Sequence, residues 1–135
     1  MNKTASTRLK IAIVWEGIEA GGVDSYLSYL LNSWNDQDKL VIFYNRKNKG
    51  IDRLKKLLEK DNIIFHPVKE TIKYFDRSSY ISQTLKFLIY SATPILFLLG
   101  IYKYKKEFKS YNFDVLLAQN GGYPGSYGVL SSTIA

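Results

Sequence analysis

The 135-residue sequence is long enough for one domain with a hydrophobic core and too short for two well-packed ones. It contains no cysteine, which excludes a disulfide framework, a thiolate zinc site and a cysteine nucleophile. With 19 Lys and Arg against 12 Asp and Glu, its formal charge of +7 favours anionic partners such as nucleic acid, anionic lipid or phosphorylated small molecules.

The first predicted element is a β-strand at residues 9–15, whose apolar, β-branched sequence is typical of a central parallel strand covered by helices on both sides. A loop containing Gly17, Gly21 and Gly22 follows it. From Val23, apolar residues recur at helical spacing as far as Trp34. This order of strand, glycine loop and helix is typical of the start of an α/β domain.

The same alternation continues along the chain. The later predicted elements are a strand at 39–44, a helix at 51–60, a strand at 62–68, a helical stretch from about Ser79 to Lys109, a strand at 113–118 and a helix from Ser126. Pro94 predicts a kink in the long stretch or its division into two helices. The pattern predicts a Rossmann-like, doubly wound parallel sheet. Because four strands leave such a sheet incomplete, we expect residues 1–135 to be part of a longer protein.

The glycine loops predict a phosphate site. A helix that follows a parallel strand directs bare N–H groups at the crevice above the sheet, and glycine leaves room for a phosphate there. The spacing of Gly17, Gly21 and Gly22 disfavours a dinucleotide dehydrogenase and excludes a P-loop NTPase. The alternative is that these glycines only form a tight turn and allow close packing. A second loop, at residues 120–125, faces the same crevice if the strand order is 3-2-1-4.

Two runs carry a family resemblance: KIAIVWEGIEAGGVDSYLSYLL at residues 10–31 and FDVLLAQNGGYPGS at 113–126. They resemble the N-terminal domain of retaining GT-B glycosyltransferases, usually grouped as family 4. The resemblance implies that residues 1–135 form part of an acceptor-side Rossmann-like domain, and that the donor-binding C-terminal domain lies outside this sequence. It implies hexosyl transfer from a nucleotide-diphospho sugar to a glycan or lipid-linked acceptor, without a metal or other cofactor. This chain alone would be inactive.

The resemblance also implies positions for the substrates. It places the backbone of Gly21 and Gly22 near the donor diphosphate. Relatives often carry two histidines at the end of the fourth strand, but Leu117 and Gln119 stand there, so no catalytic residue is carried over. The candidate acceptor or cleft residues are Glu16, Gln119, Asn120, Gly121, Gly122 and Tyr123. The only histidine, His66, is interpreted as structural, and no group of residues has metal-ligand spacing.

Residues 87–102 form an uncharged run of 16, shorter than the roughly 20 apolar residues that span a bilayer as a helix. Basic and aromatic residues surround it, which predicts a helix lying on an anionic membrane surface. The candidate surface residues are Lys86, Phe97, Tyr102, Lys103, Lys105, Lys106 and Lys109. The alternative is a helix buried against the sheet with solvated lysines. The basic residues are spread and follow no recognition motif, so nucleic acid is disfavoured.

No signal peptide is apparent, so we expect a cytoplasmic protein that is peripheral at the inner membrane face. A second hypothesis is a non-enzymatic Rossmann-like module that docks a membrane or a protein partner through residues 87–109. A dinucleotide oxidoreductase would need an acidic residue at the end of the second strand, where Tyr44, Asn45 and Arg46 stand instead.

Overall fold

A computed structural model describes residues 8–18, 20–69, 83–119 and 127–135, with the backbone alone at 83–90, 93 and 127–130. Four strands and four helices alternate, as the sequence predicts. In chain order they are β1 (Lys10–Trp15), α1 (Gly22–Asn32), β2 (Lys39–Asn45), α2 (Ile51–Leu57), β3 (Ile63–Val68), α3 (Gln83–Phe108), β4 (Val115–Gln119) and α4 (Tyr127–Ile134). The ends differ from the predicted ones by up to three residues where both are described. For example, α2 stops at Leu57 because Leu58 adopts extended backbone, with φ −82° and ψ 133°.

All four strands are parallel, in the order β3-β2-β1-β4. This is the order that was assumed when both glycine loops were expected to face one crevice. In β1, Ile13 pairs with Ile42 of β2 on one side and with Leu117 of β4 on the other. The chain reverses its direction of winding between β1 and β4, and in such sheets ligands bind at the carboxyl ends of the strands beside this switch point.

Both faces of the sheet are covered, because alternate side chains of a strand point to opposite faces. On one face, Ile11, Ile13 and Trp15 of β1 pack with residues of α1 and α2, including Leu27 and Leu54. On the other face, residues of the strands pack with α3 and the turn that follows it: Ala12, Val14, Val41, Phe43, Tyr104, Phe108 and Tyr111. Helices on both faces define the doubly wound arrangement that the sequence predicts.

Helix α3 runs without interruption through Pro94, so the predicted division into two helices is wrong. Proline removes one backbone donor, and the helix continues because the turns on either side keep their own hydrogen bonds. Pro94 is exposed, so its ring displaces no packed neighbour. Over the residues described, none of the helices combines the length and apolar character that a bilayer crossing requires.

Candidate functional site

The loop after β1 is held in place by the turn that follows β2. The side-chain amide of Asn48 donates to the carbonyl oxygen of Gly17 at 2.7 Å, and the N–H of Lys49 donates to that of Ile18 at 2.8 Å. The Oδ1 atom of Asn48 accepts the N–H of Gly50 at 2.8 Å. Asn48 is only 5% exposed, so these bonds lie away from water. The turn therefore fixes where the glycine loop sits at the carboxyl edge.

Asn45, at the end of β2, makes the same kind of contact. Its side-chain amide lies 3.4 Å from the carbonyl oxygen of Glu16, and its Oδ1 accepts the N–H of Lys47 at 3.0 Å. Sequence reasoning missed Asn45 and Asn48. An Asx-turn pattern in residues 45–50 identifies them as turn residues, but not the loop that their amides would bind.

Gly21 and Gly22 lie at the start of α1, which follows β1 after a short loop, and both are exposed. A Cβ built on either would meet no described atom within 4 Å. Gly21 has φ −179°, an extended backbone open to any residue. Close packing, the alternative interpretation of these two glycines, is therefore wrong for the described part of the chain. No described residue occupies the space beside them.

Asp24 lies in the first turn of α1 and is completely buried. Its Oδ1 accepts the N–H of Gly21 at 3.3 Å, and its Oδ2 lies 3.4 Å from Nη1 of Arg53 on α2. Glycine has no side chain, so only one half of a capping box is present, in which the carboxylate of the third helical residue accepts the N–H of the N-cap residue. Arg53 offsets the negative charge that Asp24 brings close to the helix N-terminus.

The predicted cleft residues Glu16 and Gln119 come together at the same edge. Gln119 ends β4 and pairs with Trp15 of β1, which Glu16 follows directly. Leu117 of β4 is half-buried and packs against the core on the α1 and α2 side. The other four predicted cleft residues lie outside the described residues: Asn120, Gly121, Gly122 and Tyr123.

Further along the edge, a depression of about 160 Å³ lies between the ends of the strands and α3. It is lined by Glu16, Asn45, Val68, Lys69 and Tyr104. This volume includes open solvent and encloses no space for even one water, so the depression is a shallow part of the surface.

Lys103 of α3 precedes Tyr104, which lines the depression, and is half-buried. Burial lowers the pKa of the Lys103 ammonium group, because the charged form is poorly solvated. Glu107 and Glu16 act against this effect, whereas the positive charges of Arg46 and Lys69 add to it. Lys103 therefore lies within electrostatic reach of both cations at the carboxyl edge.

His66 lies on β3 with both ring nitrogens in hydrogen bonds. Its Nε2 is 2.8 Å from Oε2 of Glu107, and its Nδ1 is 3.1 Å from the hydroxyl oxygen of Tyr111. The tautomer that satisfies both contacts donates from Nε2 to the carboxylate and accepts from the tyrosine hydroxyl. Both ring nitrogens are therefore satisfied within the fold, which agrees with the interpretation of His66 as a structural residue. Among the residues described, no three His, Asp or Glu side chains gather as metal ligands.

One side of α3 exposes large apolar residues. Ile95, Leu98, Leu99 and Tyr102, the α3 apolar face, are 63%, 64%, 53% and 70% exposed. Their spacing of three and four residues puts them on one side of the helix, and the exposed Lys105, Lys106 and Lys109 continue that side.

Two other candidate membrane residues do not belong to this face. Phe97 is half-buried, and its carbonyl oxygen accepts the hydroxyl of Ser131 on α4 at 3.4 Å. Lys103 is half-buried beside the depression. Lys86 lies on α3 within the segment whose backbone alone is described.

Comparison of the chain with protein-family models, with curated proteins and with solved structures gives no match. What the chain does is therefore inferred from its own residues and their geometry.

Proposed function

We propose that the chain is the acceptor-side domain of a retaining GT-B glycosyltransferase. The enzyme transfers a sugar from a nucleotide-diphospho sugar to a glycan or a lipid-linked acceptor of the cell surface. The Rossmann-like sheet and the resemblance of residues 10–31 and 113–126 to that family support this proposal. A second α/β domain supplies most of the donor contacts.

The observation that carries the proposal is the open space at Gly21 and Gly22. Neither glycine is required by packing against the described residues or by a left-handed backbone. Gly22 lies at the N-terminus of α1, where first-turn backbone N–H groups have no backbone acceptor within the helix, whereas the N–H of Gly21 is accepted by Oδ1 of Asp24. A diphosphate can approach such a backbone closely because no Cβ is in the way.

This placement fits the chemistry of glycosyl transfer. As the bond to the sugar breaks, negative charge accumulates on the departing diphosphate. The partial positive charge at a helix N-terminus stabilises that charge without reorganisation of water. Glu16 and Gln119 stand beside the same crevice, where a carboxylate and an amide can hydrogen-bond acceptor hydroxyl groups.

We also propose that the α3 apolar face docks the protein on an anionic membrane. Four large apolar side chains are exposed together, and three lysines follow on the same side of the helix. Apolar burial in the interface and lysine contacts with anionic headgroups reinforce each other, and each lysine adds about 1 kcal/mol. The same observation favours the alternative function, a non-enzymatic module that docks a membrane or a partner. An assay of sugar transfer distinguishes the glycosyltransferase from the non-enzymatic module.

The phosphate site can be tested on the chain itself. Titration with inorganic pyrophosphate, followed by amide NMR shifts, is expected to move the signals of Gly21, Gly22 and Val23 most. Shifts that are largest at the lysines of α3, or absent at α1, would contradict the site. Turnover of nucleotide-sugars is then measured in a protein that joins this chain to its donor-binding domain. Lack of turnover with any sugar donor would favour the non-enzymatic module.

A further inference from the structure

Arg53 of α2 lies beside the first turn of α1. Its Nη1 atom is 3.4 Å from Oδ2 of Asp24, and Oδ1 of the same carboxylate accepts the N–H of Gly21 at 3.3 Å. One carboxylate therefore contacts both the arginine and the first residue of the glycine pair. Asn48 and Lys49, in the turn before α2, are bonded to the loop that precedes Gly21. Together these contacts keep Arg53 next to the glycine loop.

The ion pair with Asp24 does not occupy the hydrogen-bond donors of Arg53. Charge-assisted hydrogen bonds from a guanidinium to a carboxylate are about 2.7–2.9 Å long. The contact of 3.4 Å is longer, and none of the described residues gives Oδ2 of Asp24 a hydrogen bond. Asp24 is completely buried, whereas the Arg53 side chain is 60% exposed. The carboxylate thus holds the guanidinium by its charge, and the N–H donors of Arg53 remain open to solvent.

Arg53 also sets the sign of the charge beside the glycine pair. Asp24 alone would repel an anion from the first turn of α1. Arg53 offsets that charge, so the partial positive charge of the helix N-terminus is the part that remains. A lysine would offset Asp24 equally well, but a guanidinium adds a planar fork that binds two phosphate oxygens at once.

We propose that Arg53 binds the diphosphate of the donor together with the backbone N–H of Gly22, and that Asp24 is the residue that positions Arg53. This assignment deepens the proposed function and rests on it in one respect, the identification of the anion as the donor diphosphate. As the bond to the sugar breaks, the guanidinium stabilises the charge that accumulates on the departing group.

The test is a titration with inorganic pyrophosphate of the double variant Asp24→Asn, Arg53→Gln, followed by amide NMR at low salt. Removing both charges keeps the net charge of the chain and leaves no unpaired charge in its interior. The asparagine still has an oxygen that can accept the N–H of Gly21. The affinity is expected to fall at least about tenfold, equivalent to about 1.4 kcal/mol. Unchanged or tighter binding, as expected if the pair only stabilises the fold, would overturn the assignment.

A second measurement needs no variant. The side-chain Nε–H signal of Arg53 in the parent chain is expected to shift with pyrophosphate along the same binding curve as the amide signal of Gly22. A shift at Gly22 without one at Arg53 would also overturn the assignment.

A matched control removes an ion pair elsewhere. Nζ of Lys60 is 2.7 Å from Oδ1 of Asp36, and the two residues precede β3 and β2, at the opposite, amino edge of the sheet. The double variant Asp36→Asn, Lys60→Gln should bind pyrophosphate as the parent does. Lys56→Gln removes an exposed cation of α2 itself and should also leave the affinity unchanged. Equal losses in the Arg53 and Lys60 double variants would contradict a specific role for Arg53.

The outcome is separable from that of the proposed function. Pyrophosphate that shifts Gly22 but binds the Arg53 double variant as tightly as the parent would remove Arg53 from the site and leave the transferase. Pyrophosphate binding that depends on Arg53, without turnover of any nucleotide-sugar, would keep Arg53 as an anion-binding residue and remove the transferase.

Discussion

A Cβ atom added to Gly50 would lie 3.0 Å from Cη2 of Trp15. Trp15 is the last residue of β1 and is 1% exposed, whereas Gly50 is the N-cap of α2. The tryptophan ring therefore fills the space in which any larger residue at position 50 would place its side chain. This contact sets how closely the start of α2 approaches the end of the central strand, and hence where the neighbouring loop lies.

Substitution Gly50→Ala is expected to destabilise the chain, because the buried ring of Trp15 has little room to move. Overpacking of this kind typically costs about 1–3 kcal/mol in the free energy of unfolding. Urea denaturation with an unchanged m-value measures the loss. The control is Gly22→Ala, whose methyl group enters open space over the described part of the chain. Equal stability of Gly50→Ala and the parent chain would contradict this prediction and show that the Trp15 ring moves to accommodate the methyl group.

Substitution Asn48→Ala is expected to lower the free energy of unfolding by about 1–3 kcal/mol, because it leaves the carbonyl of Gly17 and the N–H of Gly50 without their side-chain partner. Faster hydrogen exchange at the amide of Lys49 would report the loosened loop. Asn35 is the matched control, since it accepts the N–H of Gln37 in the same i to i+2 manner but is exposed. Similar losses in Asn48→Ala and Asn35→Ala would argue against a special role for burial.

Substitution Gly22→Val is expected to separate stability from function. Exposed substitutions usually change the free energy of unfolding by less than about 0.5 kcal/mol, and the position has space for the side chain. Pyrophosphate affinity and sugar transfer should fall by about tenfold or more, equivalent to about 1.4 kcal/mol. Tyr29→Val puts the same side chain at another exposed position of α1 and should leave pyrophosphate affinity and sugar transfer unchanged. Unaltered turnover in Gly22→Val would remove the glycine pair from the donor site.

Membrane association is expected to depend on the α3 apolar face. A leucine side chain that is buried on docking contributes about 1.5–3 kcal/mol to the free energy of binding. Leu98→Glu should therefore reduce binding to anionic vesicles by at least about tenfold. Co-sedimentation with vesicles containing phosphatidylglycerol, compared with neutral vesicles, measures the effect. Tyr29→Glu adds the same charge at an exposed residue of α1 and should bind as the parent does. No binding to either vesicle, or equal binding to both, would contradict electrostatic docking.

Lys103 predicts a pH dependence of stability. Burial lowers its pKa in the folded chain below the ordinary value of 10.5, so the unfolded chain binds more protons between the two values. Stability due to this group is therefore lowest at neutral pH and rises as the pH increases through that window. Lys103→Met should abolish this rise, measured as the difference from the parent chain in urea denaturation at several pH values. The exposed Lys105→Met should retain it.

Periodicity in the sequence was sufficient to predict the parallel sheet, whereas the strand order was assumed from doubly wound sheets in general and agrees with the structure. In β1 the residues Ile11, Ala12 and Ile13 are all apolar, and the structure buries both faces of the strand. Residues 87–102 are uncharged on every side of the predicted helix, so periodicity does not indicate which of them are buried and which are exposed. The packing of that helix against α4 and the sheet decides which of its residues are exposed. Phe97 is therefore partly covered, whereas Leu98 is exposed.

The candidate site was predictable where it depends on strand ends. Gln119 ends β4 and Glu16 directly follows the end of β1, so the two meet once these strands are neighbours, as the assumed strand order has them. The contacts of Asn45 and Asn48 depend on which two loops approach each other, and residue type alone does not encode that pairing. The same is true of Lys103, whose position follows from the packing of α3 on the sheet.

The two edges of the sheet differ in how they meet another polypeptide. The edge strand β3 contains Pro67, which has no N–H to offer. At the other edge, β4 has the sequence VLLAQ, with neither a charge nor a proline, and no strand among those described covers its outer side. Among the described strands, β4 is therefore the edge that offers unpaired backbone groups to a further strand. The charge of +7 opposes such contacts over roughly 10 Å at 0.1 M salt, so raising the ionic strength should favour aggregation of this basic chain.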